Sequence, residues 1–267
     1  MINTWLVATI VAVVAGCVGF FVVLRGASFA AHALPLGTFP GAAAASLLGV
    51  SPLAGLVAAA TAAVIGITWL GRRGRHDVAT ALCFVMLLGL GALFLSMTTQ
   101  YSQAVYALLF GEVLGVSDDD LLAVAVIGTA CVVLVMLLFR PLLLGSVSDE
   151  LIEAQRVSSR RVELAFLGIL ALATVMALPV VGALLVFSLM VGPACAARSL
   201  GSRPGSAVLL SVAFSLVTVW AAIALSYVSD WPVGFFVGAI GALLYGAGRM
   251  WTQLRTRCQL SRFAPRR

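Results

Sequence analysis

The hydrophobic positions of this chain fall into about nine long runs, separated by short segments that hold nearly all of its charge. A helix that crosses the roughly 30 Å hydrocarbon core of a bilayer needs about 20 mostly apolar residues. The runs lie at about 5–24, 29–48, 53–70, 78–97, 121–139, 163–178, 180–199, 207–228 and 232–250, and each predicts a membrane-spanning helix. The sixth and seventh meet at Leu178-Pro179, so the count is eight or nine. The fold predicted is all-α, a polytopic transmembrane helical bundle. Residues 1–250 form the transmembrane domain with a cytoplasmic loop at about 141–162, and 251–267 form a basic cytoplasmic tail. The first run begins with MINTW, which has no basic residue, and it is longer than a signal-peptide core; it is read as a span.

Composition sharpens this picture. Hydrophobic residues make up 62% of the 267, charged residues 10%, and the mean hydropathy is +1.14. A soluble domain carries about a quarter charged residues, so there is no room for a soluble catalytic domain. The net charge of +6 comes from arginines gathered in short loops and the tail, the mark of cytoplasmic segments, and it is no nucleic-acid signal. Arg72, Arg73 and Arg75, then Arg140, Arg156, Arg160 and Arg161, then Arg198 and Arg203, and finally Arg249 to Arg267 alternate with acidic segments at Glu112, Asp118 to Asp120 and Asp230. The N-terminus is therefore expected outside and the C-terminus in the cytoplasm. The five cysteines stand singly, with no CxxC spacing, and suggest neither a zinc cluster nor a disulfide framework.

Small residues crowd the runs, and Gly37/Gly41 and Gly234/Gly238 have GxxxG spacing. Such faces let helix backbones approach closely in lipid. The last span is one candidate for contact between two copies of the chain.

Ionisable groups within spans are costly and mark functional hypotheses. His32 is the one good candidate; His76, Asp77, Glu163 and Asp230 all stand where they reach water. Pro35 and Pro40 follow His32 in FAAHALPLGTFPG (29–41). Each proline lacks a backbone donor, which leaves the carbonyls of Ala31 and Leu36 without their helical partners. An imidazole beside interrupted helix is a place where a transporter can hold a cation. The loop SVSDELIEAQRVSSRRVE (146–163) predicts a short helix outside the membrane. Asp149, Glu150 and Glu153 open it and arginines close it, which suits the helix dipole. Leu151, Ala154 and Val157 form an apolar stripe that needs a partner surface. No Walker sequence, Gly-rich phosphate loop or Ser/His/Asp arrangement is present, so ATP-driven transport would need a separate ATPase chain.

Three segments then carry a resemblance. YALLFGEVLGVSDDDLL (106–122), VVGALLVFSLMVGPACAAR (180–198) and SYVSDWPVG (226–234), with His76-Asp77 before a span, are similar in kind and order to the membrane subunits of bacterial ABC importers for zinc, manganese and iron. The resemblance implies a homodimeric or paired permease in the bacterial plasma membrane. Cytoplasmic ATPase subunits would dock through Asp149, Glu150, Leu151, Ala154 and Val157, and an extracytoplasmic metal-binding protein would deliver the ion. It implies a divalent metal ion as transported substrate and no permanently bound cofactor.

The family's metal-binding helix resembles Arg-x-x-Ser, three residues, then Asp-Ala-Leu-Ser-His and Pro-Gly, with the Asp and His as ligands. Arg25, Ser28, Ala33, Leu34, Pro40 and Gly41 hold that frame, while His32 stands at the Asp position and Leu36 at the His position. The transport pathway implied runs past His32, Pro35, Leu36, Pro40 and Gly41. A lone imidazole suits zinc better than a hard ion such as manganese, and two His32 side chains from paired copies would rebuild a two-ligand site. The competing expectations are a permease for a metal chelate or organic cofactor and a stand-alone drug or metabolite exporter. An intramembrane enzyme would need a nucleophile with a base, or two carboxylates, within spans, and the sequence supplies neither.

Overall fold

The computed structural model describes residues 2–70, 76–97, 118–146, 158–201 and 203–263. The regular structure among them is helical: α1 (Ile2–Leu24), α2 (Ser28–Leu48), α3 (Pro52–Leu70), α4 (His76–Ser96), α5 (Asp118–Leu137), α6 (Phe139–Leu144), α7 (Ser159–Val181), α8 (Ala183–Leu200), α9 (Pro204–Ser229) and α10 (Val233–Phe263). Each of the nine apolar runs corresponds to one long helix, and α6 is a short addition after the fifth. By length and composition, α1, α3, α7, α9 and α10 can cross a membrane, and α4, α5 and α8 contain shorter apolar stretches. In α2 the polar His32 and Thr38 and the two prolines dilute the apolar run.

Three helix boundaries differ from the sequence reading. Pro179 does not end α7, which continues to Val181. The break falls at Gly182, with φ 82° and ψ 157°, a conformation that is essentially reserved for glycine. One proline near a helix C-terminus removes a single backbone hydrogen bond, whereas a Cβ at that φ and ψ would be strained. Likewise α2 is one continuous helix with Pro35 and Pro40 inside it; the expected interruption is confined to the missing N–H donors. The last helix runs on to Phe263, well past residue 250.

α1 forms the centre. It packs against α9, α8, α5 and α7, and 72% of its apolar window is buried against 17% for α10, which makes α10 an outer helix of the bundle. Small residues set the spacing. A Cβ on Gly16 would lie 2.6 Å from the Cα of Val212 on α9, and one on Gly19 would lie 2.0 Å from the carbonyl oxygen of Met190 on α8. Ser211 Oγ donates to the Gly16 carbonyl at 2.8 Å, a contact possible only because the two backbones are so close. Gly192 on α8 meets Gly241 on α10 in the same way. Around these approaches Val7, Val11, Phe21, Leu170, Met176 and Leu189 fill the core, all almost wholly buried.

Among the described residues, Arg25, Arg198 and Arg249 gather at one end of the bundle. Arg25, at the end of α1, donates to the Leu142 carbonyl of α6 at 3.3 Å and lies 5.1 Å from the Phe166 ring centroid. Arg198, near the end of α8, donates to the Val23 carbonyl at 3.1 Å. Arg249 on α10 lines the same cleft as Val23 and Arg198. Asp230 lies at the far end of α9 from Arg203.

Candidate functional site

α2 begins just after the turn at Gly26, whose φ of 68° reverses the chain without a Cβ penalty. His32 follows one turn into the helix. It is half-buried, and its ring meets Phe187 of α8 edge-on, with centroids 5.0 Å apart and planes at 74°. Its Nδ1 is buried and has no hydrogen-bond partner; among the described residues Ser215 Oγ is the other side-chain atom in that condition. An unmet buried polar atom costs about 1–3 kcal/mol, so a half-buried imidazole held this way is a poor structural choice. It is a ready donor for a ligand.

The other pathway residues separate. Leu36 shares His32's face by its i+4 spacing and packs beside a cluster containing Ala42, Leu56, Leu178 and Ala183. Pro35 is buried, and its carbonyl accepts from Thr38 Oγ1 at 3.0 Å. Pro40 is turned to α4, where a Cβ on Gly91 would lie 3.0 Å from its Cγ. Gly41 faces α3: a Cβ there would lie 2.0 Å from the carbonyl oxygen of Gly55, and the reverse distance is also 2.0 Å. The structure thus brings His32 and Leu36 to one face and commits Pro40 and Gly41 to helix contacts. Of the GxxxG glycines on α10, Gly234 lies against Leu185 of the same chain and Gly238 faces open space.

Among the described residues no group of three or more His, Cys, Asp and Glu is placed to hold a metal. His32 is the nitrogen donor at this place among the described residues. Asp149, Glu150, Leu151, Ala154 and Val157 lie outside the described residues; their segment is bounded by the end of α6 and the start of α7. Phe187, which fixes the edge of the His32 ring, escaped the sequence reading as a site residue, although it lies in the 180–198 segment that carried the resemblance.

A bundle of long apolar helices, one of them carrying a half-buried imidazole and two prolines, has the build of a multi-pass membrane protein. The chain belongs to the ABC 3 transport family, which it matches over residues 1–251. It is 27% identical over 237 residues to the manganese transport system membrane protein MntC of Listeria innocua, covering 88% of this chain and 84% of that one. It is 28% identical over 247 residues to the chelated iron transport system membrane protein YfeC of Yersinia pestis, covering 92% and 84%. The solved structure of PsaBC from Streptococcus pneumoniae, in complex with Fab, superposes with a TM-score of 0.82 at 26% identity, covering 92% of this chain and 89% of that one. The family expected from the three sequence segments is borne out.

Proposed function

We propose that this chain is the membrane-spanning subunit of an ATP-driven importer for a divalent transition-metal ion, with His32 as a ligand along the path. The observation that carries the proposal is the buried, unpartnered Nδ1 of His32 on a helix that keeps the family's Arg25, Ser28, Pro40 and Gly41 frame. Family membership and the metal-transport names of relatives support it. Two copies of the chain, each giving one imidazole, form the ion site. ATP is hydrolysed on separate cytoplasmic chains docked through residues 149–157, an extracytoplasmic binding protein delivers the ion, and the arginine-rich end with the C-terminus faces the cytoplasm. Zinc is the favoured cargo on donor chemistry, because imidazole nitrogen without carboxylate suits it better than manganese; the relatives' names speak instead for manganese and chelated iron.

A second reading has its own observation. Leu36 puts an aliphatic side chain at the second ligand position, which favours a metal chelate over a bare ion. Elemental analysis of cells grown in metal-depleted medium separates the two, comparing wild type, deletion, complemented and His32→Ala strains at matched expression. A metal lost on deletion and not restored by His32→Ala supports the bare ion. Full restoration by His32→Ala supports the chelate.

A further inference from the structure

At the arginine-rich end of the bundle, α1, α8 and α10 enclose a cleft of about 490 Å³. It lies far along α8 from Phe187 and plays no part in the proposed ion path. Arg198 and Arg249 line it together with Ser199, Tyr245 and Gln253, and none of its lining residues is acidic. Each guanidinium has five N–H donors. Arg198 uses one nitrogen on the Val23 carbonyl, and Arg249 uses one on the Tyr245 hydroxyl at 3.4 Å. Both side chains are exposed, so most of their donors remain for a ligand.

The opposing effect is the helix dipole. α1 and α8 end here, each bringing about half a negative charge, while α10 passes through without ending. Two full positive charges outweigh two half charges, and the cleft is net cationic. Its ligand is an anion that accepts several hydrogen bonds.

The surroundings select the source of that anion. Tyr245, Met250, Trp251 and Leu254 on α10 are exposed, and α10 has the lowest buried share of the five helices long and apolar enough to cross a membrane. Aromatic rings and arginines at one level are the signature of a membrane–water interface, and basic pockets between helices at that level hold anionic headgroups. We propose that this cleft binds the phosphate headgroup of an anionic membrane phospholipid, with Arg198 and Arg249 clamping the phosphate and the exposed apolar side chains of α10 lying along the acyl chains.

The test uses the purified full-length chain in mild detergent, with bound phosphatidylglycerol counted by native mass spectrometry and phosphatidylcholine and inorganic phosphate as comparison probes. Phosphatidylglycerol should be retained in preference to phosphatidylcholine, with inorganic phosphate failing to compete at equal concentration. Arg249→Gln should lower retention about tenfold or more, the loss of a direct hydrogen bond between charged groups, and Arg249→Lys should restore part of it. Arg203→Gln, at the same end but outside the cleft, should leave retention unchanged. Equal loss in Arg203→Gln would reduce the effect to diffuse surface charge and overturn the proposal, as would unchanged retention in Arg249→Gln. Equal competition by inorganic phosphate would assign the cleft to a soluble anion and overturn the lipid.

Discussion

Replacing Gly41 by alanine tests the packing of the helix that carries His32. A Cβ at Gly41 would lie 2.0 Å from the Gly55 carbonyl oxygen and 2.6 Å from the Ala59 Cβ. Ordinary carbon–oxygen contacts begin at about 3.3 Å, so α2 and α3 must separate locally by more than an ångström. Overpacking of this kind costs about 1–3 kcal/mol. Alanine also returns about 1 kcal/mol of helix propensity, which offsets part of the loss. Gly89→Ala supplies the reference, because a Cβ there meets nothing within 4 Å and only the propensity gain remains. Gly41→Ala should therefore be less stable than Gly89→Ala by about 1–3 kcal/mol. Thermal unfolding in detergent, followed with a fluorogenic maleimide, reads this directly through the buried Cys17, Cys83 and Cys131. Gly41→Ala and Gly55→Ala together should cost less than their sum, since one displacement relieves both clashes. Equal melting of Gly41→Ala and Gly89→Ala would refute the close approach.

Two further predictions follow from the backbone and the charge pattern. Gly182→Ala should destabilise the chain by about 1–3 kcal/mol, because alanine enters that φ and ψ only under strain; the same thermal assay checks it, and wild-type melting would move the α7–α8 break elsewhere. A green fluorescent protein fused after Arg267 should fluoresce in cells and an alkaline phosphatase fused there should be inactive, since arginine-rich ends are retained inside; the opposite pair of results would invert the topology.

The all-helical build of the described residues was legible in the sequence because a long apolar run by itself defines a helical element in lipid. The internal punctuation of the helices was not. Pro179, Pro35 and Pro40 suggested breaks, yet each sits within a helix, and Gly182 carries the break through a conformation that sequence does not display. Gly41 was legible as a small residue with GxxxG spacing, but its partner is Gly55 on the next helix, and spacing within one helix does not name a partner on another. His32 stood out because an imidazole in an apolar run is costly; its lack of a partner and its contact with Phe187 come from the pairing of α2 with α8, distant in sequence. Arg198 and Arg249 read as topology signals only, since their convergence depends on α8 and α10 running side by side.

Passage of an ion along His32 can be measured by reconstitution. The chain, reconstituted in proteoliposomes with the proposed ATPase and binding-protein subunits, would be assayed for ATP-dependent accumulation of zinc, manganese and iron. Loss of outer-shell support alone weakens metal sites about 10–100-fold, so loss of the ligand in His32→Ala should cut accumulation by about tenfold or more, while stability falls by only about 1 kcal/mol, the worth of the ring contact with Phe187, since the buried Nδ1 has no hydrogen bond to lose. Accumulation by His32→Ala equal to wild type, for every ion, would contradict the account.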